Sequence, residues 1–435
     1  MTQSGTTAPP LAATPSATPG PAVTTPTDNV GLTETLIVTL TGDASVRPFE
    51  FHASDEELAD LKRRINATRW PERETVDDRT QGVQLATSQA LARYWGSDYD
   101  WRRCEANLNA LPNFITEIDG LDIHFIHVRS KHDNALPVIV THGWPGSVVE
   151  QLKIVGPLTD PTAYGGTADD AFDVVIPSIP GYGFSGRPAL TGWDPPHIAR
   201  AWTELMKRLG YTKFVAQGGD WGAVVTDMMG VQAPPELLGI HVNMAGVIPR
   251  DIDAALFSGG PLPSDLSEEE KRTCEQLSFV YKKGIGYGFQ LGLRPQSMGA
   301  LADSPVGLAT YLLDHDAASL THISALFVDG TPFGAITRDD ILDNLTLTWL
   351  TNTGVSSGRL YWENKDSFFA VKGVTVPAAV SVFPEELYEA PRSWAERAYP
   401  KLIHYNRLPE GGHFAAWEQP EFLTREMRAG LRSLR

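Results

Sequence analysis

Residues Gly218-Gly219-Asp220-Trp221-Gly222 set a carboxylate between small residues at minus two and plus two. That pattern lets a strand run through a sharp turn directly into a helix. Both flanks agree: Lys213-Phe214-Val215-Ala216-Gln217 reads as a short buried strand and Ala223-Val224-Val225-Thr226-Asp227-Met228-Met229 as the helix that follows. A chain bent this way holds the middle side chain up in a cleft. Serine there would form acyl intermediates from esters or amides, whereas a carboxylate attacks carbonyls poorly and displaces well at a strained or halogenated sp³ carbon. Epoxides and alkyl halides are therefore the first substrates to consider.

The rest of the chain has the rhythm of a parallel sheet covered by helices on both faces. An Asp119-Gly120 turn joins two alternating runs as in a hairpin. Then come strand-like 137–141, helical 148–155, strand-like 173–177, helical 196–209 and the elbow strand. Between about Val247 and Asn364 the alternation breaks into helical segments, including 267–281 and 306–313, which suggests a helical insertion over the sheet. Strand-like 378–382 and 401–405 restore the core. Upstream, Ser54-Asp55-Glu56-Glu57 is a helix cap and first turn, with Leu58, Leu61 and Ile65 at helical spacing. Trp70, Trp95 and Trp101 are expected to pin this arm to a larger body. The division is a tail over 1–45, an arm over 46–130, core over 131–246, a lid over 247–364 and core again over 365–435.

A net charge of −17 argues against nucleic acid or an anionic membrane as a partner. Cys104 and Cys274, far apart and without metal-type spacing, give neither a disulfide framework nor a zinc signature, so a cytoplasmic setting is expected. No stretch has the length of uncharged apolar sequence that a membrane span needs. The first 29 residues, rich in Thr, Pro, Ala and Gly and without an apolar h-region, read as a disordered tail and not as a signal peptide.

A carboxylate nucleophile leaves an ester on the protein, so turnover needs a base to activate water and donors to hold charge on the ester oxygen. Glu410-Gly411-Gly412-His413-Phe414 places His413 on a loop before a C-terminal helix, in the chain order nucleophile, acid, histidine. Phe383-Pro384-Glu385-Glu386-Leu387 supplies an acid after a strand, and spacing alone does not choose between Glu385 and Glu386. Glu389 and Asp366 are weaker candidates. In His142-Gly143-Trp144-Pro145-Gly146-Ser147 a turn can aim the Trp144 N–H at the cleft opposite the N–H of Trp221, with His142 fixing the turn. The loop Pro180-Gly181-Tyr182-Gly183-Phe184-Ser185 is expected to shape the same cleft, with Tyr182 and Phe184 touching substrate.

Together these residues resemble the α/β-hydrolase epoxide hydrolases, specifically the microsomal type with an N-terminal lasso region. The similar stretches include 142–145, 181–185, 218–222, 303–309, 383–387 and 411–416, and the match runs from 48 to 435. The resemblance implies an α/β-hydrolase fold with a helical lid, and an epoxide opened to a vicinal diol without metal or organic cofactor. It adds Tyr287 and Tyr361 as lid tyrosines, and it selects Glu386 over Glu385. The implied partner is a small-molecule epoxide; the charge argues against nucleic acid, the sequence is expected to depart from the membrane-bound relatives in lacking an N-terminal anchor, and a homodimer is the assembly to consider. The rival readings are a haloalkane dehalogenase, which needs N–H donors for a halide but no proton, and a catalytically silent binding protein.

Overall fold

A computed structural model describes residues 44–435. The disordered-tail expectation for the first 29 residues lies outside that range. Among the described residues nine strands form one sheet: β1 (Arg47–Pro48), β2 (Asn113–Ile118), β3 (Leu121–Val128), β4 (Leu136–Thr141), β5 (Phe172–Pro177), β6 (Phe214–Gly218), β7 (Leu237–Val242), β8 (Ala378–Val382) and β9 (Leu402–Arg407). Their spatial order is β1-β2-β3-β5-β4-β6-β7-β8-β9. From β5 to β9 neighbours pair in parallel, while β1, β2 and β3 add an antiparallel edge next to β5. The central strands β6 and β8 are buried at every position, as expected where helices cover both faces. The β2–β3 turn is made by Asp119 and Gly120, both at positive φ, which matches the twist of the paired strands.

The order β5-β4-β6 is a topological switch, because successive connections leave β4 in opposite directions. Open α/β sheets place ligands at such a point, beyond the carboxyl ends of the strands. The loops after β4, β6, β8 and β9 all converge there and carry Trp144, Asp220, Glu386 and His413. Between β7 and β8 lies a run of helices from Arg250–Ser258 to Gly354–Glu363 that covers this end of the sheet.

Before the hairpin the chain forms the helices Asp55–Asn66, Leu85–Ser97 and Trp101–Asn109. The first opens with a capping box between Ser54 and Glu57. This arm grips the helix Arg338–Leu350: Trp95 donates its indole N–H to Thr346 at 3.0 Å, Tyr99 its hydroxyl to Asp343 at 2.7 Å, and Arg103 pairs with Asp343 at 2.7 Å. Trp95 and Trp101 are buried, but Trp70 is 37% exposed. It sits on the irregular segment between the first two helices, where no repeat turns it toward the core. Cys104 and Cys274 are buried and unbridged.

Candidate active site

The elbow is physically tight. Asp220 has φ 50° and ψ −129°, a conformation that side chains adopt only under constraint. A Cβ at Gly222 would lie 1.9 Å from the Thr141 carbonyl oxygen, and one at Gly218 would lie 2.1 Å from the carbonyl oxygen of Gly222. Strand, turn and helix close on themselves only with hydrogen at both positions, and the closure holds Asp220 out at the tip.

The Asp220 carboxylate is divided between two jobs. Oδ1 accepts the Trp144 backbone N–H at 2.7 Å, and Oδ2 lies 3.5 Å from Nε2 of His413. His413 Nδ1 is 2.5 Å from Oε1 of Glu386, whose side chain is buried and also accepts the Leu387 N–H at 2.8 Å. Glu385 instead faces outward and meets His322 at 3.1 Å. Glu389 pairs with Arg407 and Asp366 with Arg250, so neither reaches the imidazole. His142 is a fixture of the turn. Its Nε2 accepts the Ile179 N–H at 3.1 Å, which puts the proton on Nδ1, facing the Gly143 carbonyl at 3.0 Å. Burial pushes its pKa down to about 4, so it is neutral.

Burial by itself would deprotonate His413, but the charges of Glu386 and Asp220 outweigh it and hold the imidazole well above its ordinary range. Burial would likewise protonate Asp220. The hydrogen bond and charge of His413, the charge of His315 and the Trp144 N–H reverse that and keep the carboxylate ionised. Tyr287 and Tyr361 face the same space. The Tyr287 ring stacks on Trp144 at 4.8 Å and 18°, and Tyr361 stands perpendicular to it with centroids 5.9 Å apart and its ring against Trp221 at 4.8 Å. Both phenols are lifted well above the usual tyrosine range, chiefly by burial and further by nearby negative groups including Asp220, so both keep their protons. They line one cavity of about 490 Å³ together with Asp220, Trp221, Ile285 and Phe368.

Two sequence expectations resolve differently. Gly181 and Gly183 both take positive φ, and the loop they shape sends its aromatics in opposite directions. Tyr182 is buried beside His142 and Phe184 packs on Phe49, Phe51 and His124, and neither lines the cavity of Tyr287 and Tyr361. Phe184 therefore belongs to the joint with the arm.

Sequence reasoning missed three residues. His315 and Asp316 join two lid helices. His315 Nε2 lies 3.9 Å from Asp220 Oδ2, and its Nδ1 lies 3.1 Å from Asp316 Oδ2. Glu150 is the third, buried beneath the elbow with Oε1 accepting from Gln151 at 2.7 Å. A charged residue inside the apolar run Val148-Val149-Glu150-Gln151-Leu152 was the available signal. Glu150, Gln217 and Asn243 join Asp220 and His413 around a small enclosed space of about 20 Å³, close to what one water requires.

Burial pushes Glu150 up to about 8, against about 4.3 for an unperturbed glutamate. The folded state therefore binds the extra proton between these values. Its stabilising effect is complete below the lower one and is lost as pH rises through the upper. Thermal unfolding between pH 5 and 8 should show the wild type losing on the order of 1.4 kcal/mol more per pH unit than Glu150→Gln. Parallel stability curves for the two proteins would contradict this.

Residues 46–151 match the family described as epoxide hydrolase N terminus, and residues 137–265 the alpha/beta hydrolase fold. Over 391 residues the chain is 50% identical to an epoxide hydrolase homologue of Stigmatella aurantiaca, spanning 90% of this chain and 86% of that one. The chain belongs to the epoxide hydrolase family. It is 36% identical to epoxide hydrolase 1 of Oryctolagus cuniculus over 403 residues, 88% of each chain. The enzyme also superimposes on the juvenile hormone epoxide hydrolase of the silkworm Bombyx mori with a TM-score of 0.77 at 29% identity, covering 90% of this chain and 95% of that one. Among the described residues of the hydrolase, no helix is long and apolar enough to cross a membrane.

Proposed function

We propose that the enzyme converts a small-molecule epoxide to a vicinal diol in two steps, through an ester on Asp220. Oδ2 attacks one ring carbon, the ring C–O bond breaks, and the alkoxide takes a phenol proton from the Tyr287–Tyr361 pair. Ester formation cancels the Asp220 charge, one of the charges that keep a proton on His413. The imidazole then releases that proton, which restores the phenol, and becomes the base for water held beside Glu150, Gln217 and Asn243. Attack at Cγ places charge on Oδ1, where the Trp144 N–H already points and the Trp221 N–H at the helix start can join it. Collapse frees the diol carrying Oδ2. Water supplies the replacement carboxylate oxygen, and its two protons end on the diol and on His413. Glu386 orients the ring and stabilises its cation.

The observation that carries this reading is that Asp220, Tyr287 and Tyr361 line one largely apolar cavity. A halide leaving group needs no proton, so the phenols favour an epoxide. Cavity size and the aromatic walls suit aryl or bulky alkyl epoxides. General-acid assistance contributes roughly a hundred- to ten-thousandfold. The Tyr287→Phe/Tyr361→Phe double variant should slow formation of the Asp220 ester toward the upper end of that range, and each single change should cost less because one phenol remains. Single-turnover alkylation followed by intact mass checks this. Wild-type alkylation by the double variant would remove the phenols from the reaction.

A further inference from the structure

Around Asp220 the site holds more ligating power than ester chemistry uses. His413 and His315 approach the same carboxylate oxygen from two elements, the loop after β9 and the junction of lid helices Pro305–Leu313 and Ala317–Val328. Their Nε2 atoms lie 3.5 and 3.9 Å from Asp220 Oδ2, and the three atoms fall within 4.8 Å of one another. Both imidazoles are about 98% buried; Nε2 of His315 has no hydrogen-bond partner, and Nε2 of His413 faces the Asp220 carboxylate. On the far side of each ring a carboxylate engages Nδ1: Glu386 for His413 at 2.5 Å and Asp316 for His315 at 3.1 Å. A carboxylate behind each ring fixes its orientation and turns Nε2 toward the shared oxygen, and a metal ion entering there displaces the proton that His413 otherwise carries on Nε2.

From this geometry we infer that Asp220, His315 and His413 form a three-ligand site for a borderline divalent metal ion such as Zn²⁺, and that occupying it blocks the enzyme. Two imidazole nitrogens and one carboxylate oxygen, with a fourth position open to the cavity, are a donor set that zinc accepts. Bonds of 2.0–2.2 Å put neighbouring donors of a tetrahedral ion roughly 3.3 Å apart, so the carboxylate–imidazole separations of 3.5 and 3.9 Å close by a few tenths of an ångström, while the two imidazole nitrogens, within 4.8 Å of each other, draw together by up to about 1.5 Å through side-chain rotation. The cavity that Asp220 lines provides the access route. The inference does not depend on the ester mechanism, since it concerns donor atoms and their spacing. It gives His315 and Asp316 a role beyond the charge with which His315 helps keep Asp220 ionised. A metal bound there takes up both the Asp220 oxygen that would attack and the His413 nitrogen that would activate water.

The test uses the full chain in buffer free of chelators. Equilibrium dialysis with zinc chloride should find a single tight site per chain. Cobalt(II) chloride should give the strong visible absorption of a four-coordinate ion, which zinc then displaces. Zinc should inhibit epoxide turnover over the same concentration range in which it binds. His315→Asn should abolish the cobalt absorption and shift zinc inhibition upward by on the order of a hundredfold. Asp316→Asn, which keeps a side-chain oxygen to cap the following helix, should weaken zinc binding by roughly ten- to a hundredfold. Each variant is scored against its own metal-free rate, and its fold is checked by circular dichroism. Zinc affinity and inhibition unchanged in both variants would overturn the proposal, as would the weak absorption of six-coordinate cobalt. Loss of hydrolytic activity in a variant leaves the dialysis and cobalt readouts able to decide.

Discussion

His413→Gln is expected to cut steady-state epoxide turnover by roughly ten-thousandfold or more while the first alkylation still proceeds. Ring opening as proposed uses the Asp220 carboxylate and the phenols, and none of these groups is removed. What disappears is an imidazole that combines a buried carboxylate behind it with a water-sized space shared with Asp220. The ester should therefore accumulate to one per chain and be seen as a substrate-sized increase in intact mass. Some slowing of alkylation is expected as well, because His413 helps keep Asp220 ionised against burial. A variant that loses turnover without gathering the adduct would move His413 out of ester hydrolysis and into ring opening.

Asp220→Asn should abolish both phases, with turnover lower by on the order of 10⁵-fold and no adduct at any time. The amide is nearly the same shape and can still accept the Trp144 N–H that now binds Oδ1 at 2.7 Å, so the elbow should fold as before. It carries no charge and has no oxygen able to displace at an sp³ carbon. The same change removes a negative charge from beside Glu150 and His413. The His413 pKa should fall toward its ordinary range, measurable by NMR of the ring protons, because Asp220 is one of the two charges that raise it. Residual turnover near the wild-type rate in this variant would mean direct attack of water on the epoxide.

The elbow was legible because its constraint is local: glycines at two fixed offsets are what a strand-to-helix turn needs, whatever surrounds them. The β2–β3 hairpin and the capping box at Ser54 were readable for the same reason. Glu386 and Glu385 were not separable by spacing. Adjacent residues on a loop point different ways, and only the backbone path decides that Glu386 meets His413 while Glu385 meets His322. Phe184 was misplaced because the positive φ values at Gly181 and Gly183 direct neighbouring aromatics to different faces. His315 and Glu150 were hard to place for a further reason. Both reach the site through tertiary contacts, one from a lid junction nearly a hundred residues after the nucleophile and the other from a helical turn beneath it, where a lone charged residue carries no periodic signal.

The central claim is that the product takes an oxygen from a side chain and not directly from water. A single turnover with enzyme in excess over epoxide, in water enriched in ¹⁸O, tests it by mass spectrometry of diol and protein. The account predicts a first-cycle diol containing only ordinary oxygen, one of its two atoms drawn from Asp220, with one heavy oxygen appearing in the peptide that contains residue 220. Heavy oxygen in the first-cycle diol, with none in that peptide, would contradict it.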